Sequence, residues 1–437
     1  MECPNRAMGL VVVIALSAAC QGLEPTLAAK SEVRLGDSPA VVAEDLSPGA
    51  EYTLDVELTD ALGRVWQSSA SFRADESGRI DLARDAPVAG PYDGPNPFGL
   101  LSALRMPVPT PENWEPPTPR DFNEIVFALR RDGVEVASSM TRQWIFPPGV
   151  QSQRIGGGIV AEIFLGTGAS NAPGILLLGG SGGGMAWARR TAALLADKGF
   201  AAMALSYFND QALPDHLVEI PLEYVETALD SLRSRPEVDS ASISLVGYSK
   251  GAELALLVAS RRPDVGSVVA FAPGSAVFQG FRPPDYPVIS SWSARGVSLP
   301  FVPNAYDEKF FDTFDGMYLW YRTLGQHDAF AEAAIPVERI QGDLLLISGA
   351  DDQIWPATFM GEQIVARLRV NDFAYEVKHL TFPNAGHGIA APPGEPLTGV
   401  ADRLGGTPQG NGMARLEGWR AVIEFLGRGD VDEPGQD

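Results

Sequence analysis

Residues 242–257 read Ser242-Ile243-Ser244-Leu245-Val246-Gly247-Tyr248-Ser249-Lys250-Gly251-Ala252-Glu253-Leu254-Ala255-Leu256-Leu257. An apolar, β-favouring run enters Gly-x-Ser-x-Gly and leaves through an Ala/Leu-rich stretch of helical character. Read together, the three parts are strand, sharp turn and helix. Glycines on both sides of Ser249 remove the Cβ atoms that such a turn would force together. The turn lifts the serine hydroxyl above the sheet edge, over a helix N-terminus that favours developing negative charge. The Lys250 backbone N–H is then placed to serve as an oxyanion donor. A bare G-x-S-x-G is a weak signal, because a tight strand–helix turn with an idle serine has the same letters. The strand before it and the helix after it give it weight.

Outward from this segment, strands and helices alternate. Gly174–Leu178 is a continuous apolar run suited to a strand buried on both faces, followed by Gly179-Gly180-Ser181-Gly182-Gly183-Gly184. Glycines let backbone N–H groups approach a reacting atom, so Ser181 or Gly182 is the candidate second oxyanion donor. A phosphate-cradling loop is the rival reading. It lacks the Lys-Ser/Thr of a P-loop, and no acidic residue stands where a dinucleotide fingerprint requires one. A helix is expected over Trp187–Lys198, a strand over Ala201–Leu205, a helix over Leu222–Ser234 and a strand over Ser242–Val246. Such repetition implies a mostly parallel sheet with helices on both faces.

A serine nucleophile on this fold takes its acid and then its base from later in the chain. Leu344–Ser348 reads as a buried strand, and its loop contains Asp351 and Asp352. Asp352, four positions beyond the strand, fits the acid, with Asp351 as the alternative or as a helix cap. Of the four histidines, His387 sits in the Gly-flanked loop Asn384-Ala385-Gly386-His387-Gly388, free to reach both partners. His216, His327 and His379 are read as structural. The fold class is α/β, an α/β-hydrolase domain over residues 147–428. Ser249, His387 and Asp352 are its candidate catalytic residues, and the chemistry requires neither metal nor organic cofactor.

Residues 32–146 differ in pattern. Tyr52, Leu54, Val56 and Leu58 alternate with polar residues, as do Val134 and Val136, and turn signals at 47–49, 76–78 and 132–133 break the runs. Period-two alternation of this kind predicts an all-β, immunoglobulin-like sandwich; Pro107–Pro119 reads as a long surface connection within it. At the start, Ala7–Leu16 is an apolar run too short to span a bilayer, and small residues follow it up to Cys20. Residues 1–20 therefore read as an export signal. Leu16-Ser17-Ala18-Ala19-Cys20 resembles a bacterial lipoprotein cleavage box, which would lipidate Cys20; plain secretion or a short membrane anchor is the alternative. The expected location is exported, periplasmic or lipid-anchored. Residues 21–31 read as a tether and 429–437 as a disordered tail. The net charge of −22 argues against nucleic acid as partner, leaving a small acyl molecule and, through the anchor alone, a membrane.

Several segments resemble the acyl-CoA thioesterase family that includes bile acid-CoA:amino acid N-acyltransferase. In the second half these are GGSGGG (179–184), LADKGFAAMALSYFND (195–210), LEYVETALDSLRSRPEV (222–238), SLVGYSKGAELALLVAS (244–260), ADDQIWP (350–356) and NAGHG (384–388). In the first half they are the stretch from Leu46 to Pro87 and PYDGPNPFGLL (91–101). The resemblance implies a β-sandwich before the hydrolase domain and chemistry on acyl thioesters, with nucleophile, acid and base at Ser249, Asp352 and His387. It implies hydrolysis rather than transfer to an amino acid, since the transferring branch carries cysteine where Ser249 stands. Two features depart from the family: the export signal, because CoA is not expected outside the cytoplasm, and the strong acidity, which offers CoA phosphates no evident welcome.

An aromatic-rich insertion spans residues 281–330. Phe314 and Trp320 from it, with Trp355 from the acid loop, are candidates for an apolar acyl pocket; packing of the insertion onto the sheet is the equal alternative. Three function classes follow: a serine hydrolase of acyl thioesters, an exported carboxylesterase or acyltransferase on a lipid or peptide, and a non-catalytic binding lipoprotein. The complete Ser, Asp, His and glycine-loop set speaks against the third.

Overall fold

The computed structural model describes residues 24–108, 114, 117–396 and 401–427. The segment read as an export signal, Cys20 included, the middle of the Pro-rich connection and the C-terminal tail lie outside the described residues.

Two β-sheets build the first part. In a five-stranded sheet, Glu51–Thr59 lies between Val65–Arg73 and Phe122–Arg131, followed by Val134–Trp144 and Glu32–Arg34. Leu54 faces Leu129, Val56 faces Phe127 and Leu58 faces Ile125 across the central pair. All are buried, which is why the alternating pattern holds there. A three-stranded sheet of Thr26–Ala28, Val42–Glu44 and Ile80–Asp81 shares the same core. Asp132 and Gly133 both take positive φ, 51° and 80°, the backbone that a tight two-residue hairpin needs. Two expectations are corrected. Thr26–Ala28, within the stretch read as a tether, pairs with Val42–Glu44. Val134 is 66% exposed, because it stands beside the hairpin tip, where the inner face has run out.

The remaining chain forms an eight-stranded sheet. Its strands are β1 (Gln151–Ile155), β2 (Val160–Leu165), β3 (Ala172–Leu178), β4 (Ala201–Ser206), β5 (Val238–Tyr248), β6 (Ser267–Phe271), β7 (Asp343–Gly349) and β8 (Val377–Phe382). Their spatial order is β8-β7-β6-β5-β3-β4-β2-β1. All neighbours are parallel except β2, which runs antiparallel to both β1 and β4. The longer helices are α1 (Ala186–Asp197), α2 (Leu222–Arg233), α3 (Lys250–Ala259), α4 (Glu308–Thr313), α5 (Gly316–Leu324), α6 (His327–Ala333), α7 (Ala357–Val370) and α8 (Pro408–Leu426). Strand β3 shows how the sheet is held. Ile175 and Leu177 pack with α1 and α8 on one face, while Leu176 and Leu178 pack with α2, α3 and α7 on the other. Both faces are covered, so the strand reads as an unbroken apolar run. Strand β6 was not anticipated from the sequence. Between it and β7, α4–α6 and the strands Trp292–Ala294 and Val297–Ser298 belong to the aromatic-rich insertion, and Trp292–Ala294 pairs with Ile220–Pro221, the strand just before α2. The loops after β3, β5, β7 and β8 leave the same, C-terminal edge of the sheet, where parallel α/β folds hold their ligands.

Candidate active site

Ser249 stands between the end of β5 at Tyr248 and the start of α3 at Lys250, with φ 57° and ψ −121°, a strained conformation for a non-glycine residue. Its surroundings leave no room for side chains on either flank. A Cβ on Gly247 would lie 2.2 Å from the Gly251 carbonyl oxygen, and one on Gly251 would lie 2.1 Å from that of Leu178. The two glycines are thus required by the packing of α3 against β3 and β5. The Ser249 N–H donates to the Phe271 carbonyl at 2.9 Å, tying the turn to the end of β6.

Asp352 and His387 arrive from the loops after β7 and β8. His387 Nε2 is 3.0 Å from Ser249 Oγ, and His387 Nδ1 is 2.7 Å from Asp352 Oδ2. The other carboxylate oxygen, Asp352 Oδ1, accepts the N–H groups of Ile354 and Trp355 at 2.8 and 3.1 Å. All three side chains are buried, so bulk water does not compete for these bonds. Asp351, the alternative acid, points elsewhere: it accepts from Gln353 Nε2 and the Gly406 N–H. Nor does it cap α7, whose N-cap is Pro356 with no side-chain bond. His379 bonds Ser348 Oγ at 2.8 Å, and burial holds its pKa below the usual value. His216 and His327 are exposed.

The Lys250, Ser181 and Gly182 amides expected to hold an oxyanion have no protein acceptor among the described residues, and Ser181 and Lys250 border the same cavity as Ser249. Gly180 brings the loop after β3 against the nucleophile: a Cβ there would lie 3.3 Å from Ser249 Cβ.

Sequence reasoning missed two supports. The Lys250 side chain turns inward, and its Nζ donates to both oxygens of Glu253 at 2.7 Å. Trp292 Nε1 and the Phe278 N–H donate to the same carboxylate at 2.7 and 3.3 Å. Burial pushes the Lys250 amine down and the Glu253 carboxyl up. The spacing of three between Lys250 and Glu253 is the only sequence signal, and it ordinarily denotes a solvent-facing pair. Arg415 of α8 is the second support. Its Nε donates to the Gly388 carbonyl and its Nη1 to that of Glu395, both at 2.9 Å, and burial lowers its pKa to about 10. It holds the loop that carries His387.

A cavity of about 640 Å³ opens beside Ser249, bordered by all three of Phe314, Trp320 and Trp355. Trp320 packs edge-on against Phe278 and Trp355, at 4.9 and 5.6 Å. The insertion also packs on itself: Tyr306 and Phe310, which border the same cavity, contact each other at 5.1 Å, and Tyr306 contacts Tyr286, outside the cavity lining, at 5.1 Å. The aromatics therefore supply both cavity wall and internal packing.

Two family descriptions match the sequence. "Acyl-CoA thioester hydrolase/BAAT N-terminal region" matches residues 37–156, and "BAAT / Acyl-CoA thioester hydrolase C terminal" matches residues 220–429. Acyl-coenzyme A thioesterase 1 of Mus musculus is 32% identical over 408 residues, covering 89% of this chain and 93% of the mouse protein. The mitochondrial acyl-coenzyme A thioesterase 2 of Homo sapiens is 30% identical over 406 residues, covering 89% and 81%. Among solved structures, a dienelactone hydrolase-like promiscuous phosphotriesterase from metagenomic libraries aligns with a TM-score of 0.42 at 18% identity, covering 64% of this chain and 98% of that one.

Proposed function

The chain belongs to the acyl-CoA thioester hydrolase/BAAT family, and from that premise we propose that it hydrolyses acyl thioesters through Ser249, His387 and Asp352. The observation that carries the reading is the line of hydrogen bonds from Asp352 Oδ2 through the His387 ring to Ser249 Oγ, at 2.7 and 3.0 Å. In the first step His387 Nε2 takes the Ser249 proton as Oγ attacks the thioester carbonyl. Asp352 fixes the imidazole tautomer and stabilises its cation. The tetrahedral oxyanion is held by the Lys250 amide and one from Ser181 or Gly182, each worth about 3 kcal/mol of barrier. The carbon–sulfur bond breaks, His387 returns its proton to the departing thiolate, and the acyl group remains on Ser249. Water, deprotonated by His387, then attacks the ester, and the free acid leaves with Ser249 restored. The acyl chain occupies the cavity bordered by Phe314, Trp320 and Trp355.

The test is mass spectrometry of the protein quenched during turnover of a slow acyl thioester, alongside steady-state rates of Ser249→Ala. An added acyl mass on the peptide containing Ser249, and loss of turnover in the variant, are expected. Undiminished turnover by Ser249→Ala would refute the reading. The segment at Cys20 supports a second proposal, that the mature chain is exported and lipid-modified at that residue. A Cys20→Ala variant should lose membrane association in cell fractionation; equal association of both forms would remove the proposal.

A further inference from the structure

Five of the six residues in 179–184 are glycines. Glycine gives the backbone its widest conformational choice, so such a loop needs outside contacts to keep any one amide aimed. Those contacts come from the residues that follow β4. The Tyr207 hydroxyl donates to the Gly179 carbonyl at 2.5 Å, and Asn209 Nδ2 donates to the Gly182 carbonyl at 3.0 Å. The Phe208 carbonyl accepts the Gly184 N–H at 3.0 Å, and within the loop the Gly183 N–H donates to the Gly180 carbonyl at 3.2 Å. The two peptide units that carry the Ser181 and Gly182 N–H groups lie between the carbonyls held by Tyr207 and Asn209. These are the N–H groups that have no protein acceptor among the described residues. Tyr207 is itself held: it is buried, and its ring lies 5.8 Å from that of Trp292. Burial, with the Glu253 charge nearby, pushes its pKa up, so the hydroxyl stays a donor at any working pH. The loop and the clamping segment are in direct contact, since a Cβ on Gly183 would lie 2.5 Å from Asn209 Cβ.

We infer that Tyr207 and Asn209 are positioning residues for the oxyanion hole, holding the glycine loop in the conformation that presents the Ser181 and Gly182 amides to the tetrahedral oxyanion on Ser249. This rests on the acyl-transfer part of the reading above, and not on sulfur as the leaving atom. A peptide flip in an unpinned glycine loop turns an N–H away and brings a carbonyl oxygen toward the developing charge. Donors fixed beforehand are what give such a hole its effect. Formation and hydrolysis of the acyl-enzyme both pass through an oxyanion, so a loosened loop lowers kcat whichever step limits the rate.

The full chain would be assayed on a thioester and a p-nitrophenyl ester of one acid. Two variants change single groups: Tyr207→Phe deletes the hydroxyl and keeps the ring, and Asn209→Asp keeps the shape and tolerates the φ of 52° while facing the Gly182 carbonyl with an acceptor. Each should lower kcat about ten-fold on both substrates, the scale of one lost hydrogen bond, with KM little changed. That is less than the roughly hundred-fold cost of removing a donor outright. Two ketones of the same acyl chain separate positioning from folding. A trifluoromethyl ketone, which adds to Ser249 as an oxyanion, should lose affinity by the same factor as kcat/KM; the methyl ketone, which fills the cavity without adding, should bind as before. Unchanged kcat in both variants would overturn the inference, as would equal affinity losses for the two ketones with rates that follow the folded fraction. Wild-type turnover of the p-nitrophenyl ester alone would overturn the thioester reading and not this inference, which the ester rates and the ketones still decide.

Discussion

Replacing Lys250 and Glu253, singly and together, separates what the buried pair does from what it costs. Lys250 Nζ meets both Glu253 oxygens at 2.7 Å, and Glu253 is fully buried. In Glu253→Gln an ammonium group is left in that interior without a counter-charge; in Lys250→Met the orphan is a carboxylate. Removing one partner of such a pair costs about 3–5 kcal/mol, whereas replacing both with neutral groups of similar volume is often near neutral. The double variant Lys250→Met/Glu253→Gln should therefore be more stable than either single one, with a coupling energy of about 2 kcal/mol or more. The two single variants should also respond to pH with opposite sign. Burial already holds the Glu253 carboxyl above its usual value of 4.5, and without Lys250 it rises further. A raised folded-state pKa contributes stability that is fully present below the unfolded value and is lost as pH rises through the folded one. Lys250→Met should thus weaken as pH increases. Burial holds the Lys250 amine below its usual 10.5, and the loss of Glu253 lowers it further. The unfolded chain then binds the extra proton between the two values, so Glu253→Gln should gain stability as pH rises through that window. Urea denaturation at about pH 5, 7 and 9, followed by tryptophan fluorescence with Trp292 beside the pair, measures both slopes. Slopes of the same sign, or a coupling energy near zero, would refute the argument.

Asp352→Asn should lower kcat by about four orders of magnitude by favouring the wrong imidazole tautomer, whereas Asp351→Asn, which loses only a bond to the Gly406 N–H, should change steady-state rates by less than about three-fold. Gly247→Ala would press a methyl group to within 2.2 Å of the Gly251 carbonyl oxygen, so expression should yield little folded protein; a soluble, active variant would show that the elbow is looser than its packing indicates. Trp320→Ala and Phe314→Ala should lose kcat/KM for long acyl chains by more than for short ones, since both border the cavity and each buried methylene of the chain is worth about 0.8 kcal/mol; equal losses at every chain length would remove the acyl-pocket assignment.

What was legible in the sequence follows from how local each constraint is. The elbow was readable because its strand, turn and helix are contiguous and Gly247 answers to Gly251 four residues on, although Gly251 itself is constrained by the distant Leu178 carbonyl of β3. Asp352 and His387 were readable through loop chemistry at strand ends, and the choice of Asp352 over Asp351 rested on a spacing that the loop geometry now explains: Asp352 is turned inward by the Ile354 and Trp355 N–H groups. The supports are different in kind. Glu253 looks like an ordinary acidic residue in a helix, and only Trp292, thirty-nine positions along, reveals that the insertion folds down onto it. Arg415 reads as one more surface arginine until α8 buries it under the His387 loop. In the aromatic stretch, composition identified the region without identifying the wall, because Trp320, which borders the cavity, and Tyr321, which is exposed, are neighbours of similar character that the helix points in different directions. The arrangement of Ser249, His387 and Asp352 thus follows from turns at strand ends, while the buried charged groups that brace it, Lys250 with Glu253 and Arg415, take their partners from distant segments. A relative could keep every triad letter and still lose rate through a substitution at Glu253 or Arg415.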